Sequence, residues 1–370
     1  MTKKQLNILP LLLAVLLLVS GCSKGTEPGT TQSTGLLPTA IAAETPDPNK
    51  KTTGIGFYFD TVVSLSLWGA PEGLMDEIWA ACARYEQLLS KTIDASDVSR
   101  INNAMGQTVT VDPETWEILR RAKEISAQTG GAFSITIAPV TALWSFTDTV
   151  TNMVPTDEAR LKMLPLVDDQ QIALGENNTV TLPAGMEIDL GGIAKGYIAD
   201  RVTEFLSERG VVSAVVDLGG NIVTIGHKTT ELLPGLDTDT VTTHPFNIGI
   251  KDPQSETGTL LAVFPAADKT VVTSGTYERF LIEDGVKYHH ILDPKTGWPI
   301  DNDVLSVTII APKGCAVDAD GLSTTCLALG VEKGMELIES LKPTLDVEAV
   351  FVDASGEIHK TEGAPELTTN

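Results

Sequence analysis

Three short segments of this 370-residue chain gather residue types that handle phosphate, protons and divalent cations. The first covers residues 188–197 and reads Ile188-Asp189-Leu190-Gly191-Gly192-Ile193-Ala194-Lys195-Gly196-Tyr197. Its expected course is a strand ending at Asp189, a tight turn at the two glycines, and a helix from about Ala194. Glycines let a ligand approach the backbone. A helix N-terminus favours an anion such as phosphate, and Lys195 adds a positive charge. A strand–turn–helix corner without a ligand has the same pattern, and the segment is neither GxGxxG nor a Walker A loop. The second segment is Thr273-Ser274-Gly275-Thr276-Tyr277, followed by Tyr288-His289-His290-Ile291-Leu292-Asp293-Pro294-Lys295-Thr296-Gly297. In extended chain the two histidines point to opposite faces, and one of them is a candidate general base near neutral pH. A surface pair is the alternative. The third is Asp318-Ala319-Asp320-Gly321-Leu322-Ser323-Thr324. On a helix, Asp320 and Thr324 share one face, and a carboxylate with a hydroxyl is an oxygen set suited to Mg²⁺. An N-capping aspartate opening a helix accounts for the same residues.

The elements that must position these groups follow from periodicity. Residues 56–67 alternate as one strand. Leu74, Ile78, Trp79, Cys82, Tyr85 and Leu89 recur at helical spacing. Asp112-Pro113 is an N-cap followed by a first-turn proline, and Trp116, Leu119 and Ile125 would face the core of that second helix. A buried strand is expected over 211–217, ending in Gly219-Gly220, with later strands at 246–250, 260–264, 279–282, 304–310 and 347–352. Helices are expected over 322–329 and 332–341, and no repeat is present. Irregular alternation with hairpin-spaced strand pairs indicates an α+β fold of mixed, largely antiparallel sheets flanked by helices.

The N-terminal region gives an address. Lys3 and Lys4 precede an apolar run over residues 8–19, too short to span a bilayer and suited to a secretory signal. The run ends in Val19-Ser20-Gly21-Cys22, as in a bacterial lipobox, so residues 1–22 are expected to be a lipoprotein signal with lipid on Cys22. Two acyl chains would make that anchoring stable, and ordinary secretion is the alternative. Residues 23–53 are rich in Thr, Pro, Gly and Ser and are expected to form a flexible stalk. The folded part is then about residues 54–366, outside the cytoplasm and tethered to the cell membrane. The formal charge is −23, and loss of residues 1–21 removes two lysines and no acid, leaving −25. That sign argues against nucleic acid as a partner. Solubility or an acidic cation-recruiting cleft would each use it. Besides Cys22 only Cys82, Cys315 and Cys326 occur, without metal spacing. Buried thiols or one Cys315–Cys326 disulfide are the two readings.

In order and spacing, these segments resemble one family, the flavin transferases of the ApbE type, also called FAD:protein FMN transferases. The likeness runs over residues 56–341. It includes Ser99-Arg100-Ile101-Asn102, Gly130-Gly131-Ala132-Phe133-Ser134-Ile135-Thr136 with Pro139 and Leu143-Trp144, and Val216-Asp217-Leu218-Gly219-Gly220-Asn221. It also takes in the three segments above and Leu329-Gly330. The resemblance implies FAD as substrate, Mg²⁺ as cofactor, and transfer of FMN to a Thr or Ser of a target flavoprotein of a membrane redox system, with release of AMP. It implies Asp320, Thr324 and the Gly192 carbonyl as metal ligands and Asp189 and Lys195 as FAD contacts. It implies Phe59, the Ala132, Phe133 and Ser134 segment and the Ile291 backbone as lining for flavin or adenine. His290 is the candidate for activating the incoming hydroxyl, and Asp293 reads as a turn former. Family members often carry Asp at the position of Ser134, Ala at that of Gly192, and Met-Gly-Thr at Phe59-Asp60-Thr61. An FAD pyrophosphatase with water as acceptor and a non-catalytic flavin-binding lipoprotein are the rival readings.

Overall fold

A computed structural model describes residues 47, 49–144, 146, 154–229, 243–255 and 257–369. Cys22 and most of the expected stalk lie outside the described residues. Eight strands form the main sheet: β1 (Lys51–Tyr58), β2 (Thr61–Trp68), β3 (Ser213–Leu218), β4 (Asn221–Ile225), β5 (Lys269–Gly275), β6 (Val304–Pro312), β7 (Glu348–Asp353) and β8 (Ile358–Lys360). Their order in space is their order in the chain, and every pairing is antiparallel. The sheet is thus a meander into which helical segments are inserted. The first strand starts at Lys51, inside the stretch expected to be stalk, and a final short strand at Thr368–Thr369 lies past residue 366.

Seven helices occur among the described residues: α1 (Leu74–Leu89), α2 (Asp97–Asn102), α3 (Pro113–Gln128), α4 (Ala138–Thr141), α5 (Asp157–Met163), α6 (Ala194–Glu208) and α7 (Ala316–Leu341). The buried residues of α1 are Leu74, Ile78, Cys82, Tyr85 and Leu89, the stripe that the spacing predicts. Asp112 caps α3 by accepting from Glu114 N, and Pro113 opens the helix. Trp116 is only partly buried against the core, whereas Ile118, Leu119, Ala122 and Ile125 are fully inside. One face of the sheet carries α1 and α6 over β2–β4, and α7 over β5–β7. The other face is covered by an antiparallel sheet of Phe246–Lys251, Leu260–Ala266 and Thr368–Thr369. Being covered on both faces explains the nearly unbroken apolar run of β6. No helix among the described residues is long and apolar enough to cross a membrane.

Three expectations are corrected. Residues 56–67 are two strands, not one, because Phe59 and Asp60 both adopt φ 56° and turn the chain back. A two-residue loop with both φ positive has the twist hairpins need, but Phe-Asp lacks the Asn or Gly that normally marks it. The approach to Asp189 is not a strand. The Asn102 side chain instead stands in for a partner strand, donating to Ile188 O at 3.0 Å and accepting from Ile188 N at 2.8 Å. One helix runs from Ala316 instead of Leu322, and Gly330 at φ 82° marks the kink between its two expected parts. Cys82, Cys315 and Cys326 are all free thiols, so Cys315 and Cys326 do not pair.

Candidate active site

The glycine corner and the third segment meet where α6 and α7 begin. Asp189 N donates to Ile135 O at 2.8 Å, and Asp189 Oδ1 accepts from Gly191 N at 2.9 Å, which sets the turn. Its Oδ2 is paired with Lys91 Nζ at 2.6 Å. Gly196 N, in the first turn of α6, donates to Asp320 Oδ2 at 2.9 Å. Asp320 is 3% exposed, and among the described residues its other oxygen has no hydrogen bond, with Lys195 Nζ 3.9 Å away. Lys195 itself donates to Gly191 O at 3.2 Å. Ser323 and Thr325 turn their hydroxyls back onto the carbonyls of Asp320 and Gly321. Among the described residues the Thr324 hydroxyl makes no such bond, and a Cβ placed on Gly192 would stand 3.9 Å from it and 3.2 Å from Phe133. Gly192, Lys195, Asp320, Thr324 and Phe133 therefore stand at one corner.

That corner fits a hard divalent cation. A buried carboxylate with one oxygen bonded and one lacking a close partner is costly unless a positive charge completes it. Asp320, the free Thr324 hydroxyl and the Gly192 main chain are all oxygen donors, the class that Mg²⁺ takes. Ser274 Oγ, at the end of β5, lies 2.7 Å from Ser323 Oγ and ties the sheet end to α7.

The remaining candidates surround this corner less directly. Ser134 Oγ donates to Asp169 Oδ1 at 2.7 Å and caps the short turn that follows, while Asp169 also accepts from Ile135 N and Thr136 N. Its hydroxyl thus has a local structural task. Ala132 is half-buried in the turn leading to Phe133. Phe59 is held in its left-handed conformation by a bond from its N–H to Glu86 Oε1 at 2.9 Å. Among the described residues no hydrogen bond or ring contact joins Phe59 to the corner. Ile291 N donates to His289 Nδ1, and Ile291 O accepts from Ile300 N, so its backbone holds the loop together. Asp293 closes its turn through Lys295 N and Gly297 N, as a turn former does.

The two histidines separate clearly. His289 is buried, with Nε2 against Ile300 O at 2.9 Å and Nδ1 accepting from Ile291 N, so both ring nitrogens are used internally. His290 leaves the hairpin of Phe280–Glu283 and Val286–His289 with Nδ1 3.1 Å from Arg279 O. A carbonyl only accepts, so Nδ1 carries the proton and the lone pair sits on Nε2. Burial pushes the His290 imidazole down to about 4, helped by the charges of Arg279 and Lys195 and opposed by the Arg279 carbonyl. Glu278, which the sequence did not single out, is close enough to feel the charges of Lys195 and Asp320. Its only signal was its place directly after Thr276-Tyr277.

Residues 59–351 match the model of the ApbE family. The chain belongs to that family. It is 35% identical over 299 residues to an FAD:protein FMN transferase of Klebsiella pneumoniae, a match covering 80% of this chain and 87% of the relative. A Treponema pallidum protein of the same description is 37% identical, covering 75% of this chain and 77% of its own. The fold is similar to the crystal structure of an ApbE protein from Thermotoga maritima, with TM-score 0.74 and 31% identity over 85% of this chain and 97% of that one. Flavin transferase ApbE from Vibrio cholerae gives TM-score 0.70 at 26% identity, over 85% and 97%. These neighbours bear out the α+β expectation.

Proposed function

We propose that this ApbE-family chain is an Mg²⁺-dependent FAD:protein FMN transferase. The observation that carries this is the half-satisfied Asp320 carboxylate beside the free Thr324 hydroxyl and Gly192, in a chain whose relatives are named for that activity. Asp320, Thr324 and the Gly192 carbonyl would hold the cation, which when bound neutralises charge on phosphate oxygens. Lys195 lies beside them and attracts the pyrophosphate. His290 Nε2 takes the proton of the incoming Thr or Ser hydroxyl. The hydroxyl oxygen then bonds to the FMN phosphorus, the bond to the AMP phosphate breaks, and AMP leaves. The product is a phosphoester on the target flavoprotein.

Incubation with FAD, Mg²⁺ and a candidate acceptor flavoprotein, followed by denaturing gel fluorescence, tests this. Protein-bound flavin with AMP release is the expected result. FMN and AMP without labelled protein would make the chain a pyrophosphatase, and bound FAD without turnover would make it a non-catalytic binder.

His290→Ala should slow transfer about 10²–10⁴-fold, the usual contribution of a positioned base, with FAD affinity largely kept. Equilibrium FAD titration of the variant checks this, and loss of binding would make His290 a ligand contact instead. The pH dependence has a definite sign. The folded state lowers this imidazole from 6.5 to about 4, so the neutral base is present at pH 7 and is lost as pH falls through about 4. Stability linked to this group is full above pH 6.5 and declines as pH drops toward 4, because the unfolded chain binds the proton first. A transfer rate with an inflection near 6.5 that disappears in His290→Ala would contradict that placement.

We propose further that lipid on Cys22 tethers the domain outside the cytoplasm, near membrane redox proteins that receive the FMN. Cys22→Ser should move the protein from the membrane fraction to the soluble fraction, and unchanged fractionation would remove this part of the proposal.

A further inference from the structure

The two helices that build the corner each begin without a cap of their own. Neither the Ile193 side chain, before α6, nor the Cys315 side chain, before α7, accepts from a first-turn N–H. Uncapped helix starts leave backbone donors that need a partner when buried. Here each helix takes its cap from the other. Asp320 of α7 accepts from Gly196 N, and Asp200 of α6 accepts from Ala316 N at 2.9 Å and Val317 N at 3.0 Å. On α6 the donor and the acid are Gly196 and Asp200. On α7 they are Ala316 and Asp320. Both pairs are four residues apart, one turn of helix, so the two clamps mirror each other. The helices touch between them, since Gly196 has no room for a Cβ against the Ala316 carbonyl.

We propose that Asp200 is a positioning residue for the cation corner: by fixing the first turn of α7 it fixes Asp320 one turn later, with one oxygen on α6 and the other free. This rests on reading Gly192, Asp320 and Thr324 as the cation site. Asp200 does not reach that site. Both its oxygens are spent on α7, and it is only 5% exposed. Burial raises its carboxyl to about 6 despite the two donors, so a buried acid here is held at a cost. Nearby, Asp318 in the same turn of α7 is held by Arg121 Nε at 2.6 Å, which anchors that turn to α3.

A purely structural cap and a positioning residue differ in one readout. Mn²⁺ is the probe, because it takes the same oxygen donors and its free form is counted directly by electron paramagnetic resonance. Asp200→Asn keeps the shape but sets an amide NH₂ against one of the two backbone N–H groups. In the full chain it should weaken Mn²⁺ binding about 10–100-fold, as loss of a group that orients a ligand does. Ile338→Ala serves as the control, since Ile338 is buried on α7 beyond the Gly330 kink. It should lower Tm while leaving Mn²⁺ affinity within about twofold of wild type, a spread far below the orienting-group effect. Should Asp200→Asn not fold, Asp200→Glu keeps the charge, displaces the acceptors by one methylene and should weaken Mn²⁺ binding in the same direction. Folded Asp200→Asn or Asp200→Glu with wild-type Mn²⁺ affinity would overturn the proposal. Wild-type protein whose Mn²⁺ affinity is untouched by Asp320→Ala would instead remove the cation site itself, and the role of Asp200 with it.

Discussion

Asp320→Ala is expected to abolish flavin transfer while the protein still folds. The Asp320 carboxylate does two things at once. Its Oδ2 satisfies the buried Gly196 N–H, and its Oδ1 faces Lys195 at 3.9 Å with no closer partner among the described residues. Alanine removes both. The orphaned N–H costs about 1–3 kcal/mol, which a domain with this extent of core survives. Loss of the metal ligand removes several kcal/mol of charge stabilisation in the reaction, a rate loss on the order of 10³-fold or more. Asp320→Asn separates the two tasks. Its amide oxygen still accepts from Gly196 N, but its NH₂ points at the cation. Asn is therefore expected to recover most of the lost stability and none of the activity. The measurement is the rate of protein-bound flavin formation at saturating Mg²⁺, alongside Tm for both variants. Purified, folded Asp320→Ala protein that labels its target at the wild-type rate would show that the cation is held elsewhere.

What made Asp320 and Thr324 legible in the sequence is that their relation is local. Four residues apart on a helix places two side chains on one face wherever that helix goes. The same holds for the stripe of α1 and the cap of α3, which are properties of single elements. Two of the corrections concern relations between distant parts of the chain. The strand expected before Asp189 is absent because Asn102, 86 residues away, supplies its hydrogen bonds. The helix expected from about Leu322 starts at Ala316 instead, because its cap comes from Asp200 on another helix. His289 and His290 were equivalent by composition. Two carbonyls, Ile300 and Arg279, decide that the first is internal and the second keeps a free Nε2. Phe59 is a different case, since a bulky residue at positive φ is disfavoured locally. Only its bond to Glu86 and the pairing of the two strands impose it.

Gly196→Ala should be among the most damaging single-methyl changes in the protein. In an ordinary helix this substitution helps, because glycine costs about 1 kcal/mol relative to alanine. At Gly196 the added Cβ would run into the Ala316 carbonyl oxygen and stand 2.7 Å from Asp320 Cβ. The obstacle is backbone, at the start of a helix packed on β5 and β6, so it cannot swing aside as a side-chain tip could. The helices must separate, and overpacking of this kind costs about 3 kcal/mol, a Tm decrease of roughly 5 °C for a domain of this size. The same displacement lengthens the Gly196–Asp320 and Asp200–Ala316 clamps together, so flavin transfer should fall more steeply than stability does. Calorimetry and a transfer assay run well below the lowered Tm separate the two effects. A Gly196→Ala protein as stable as wild type would mean that α6 and α7 are not in the close contact on which the geometry of the corner depends.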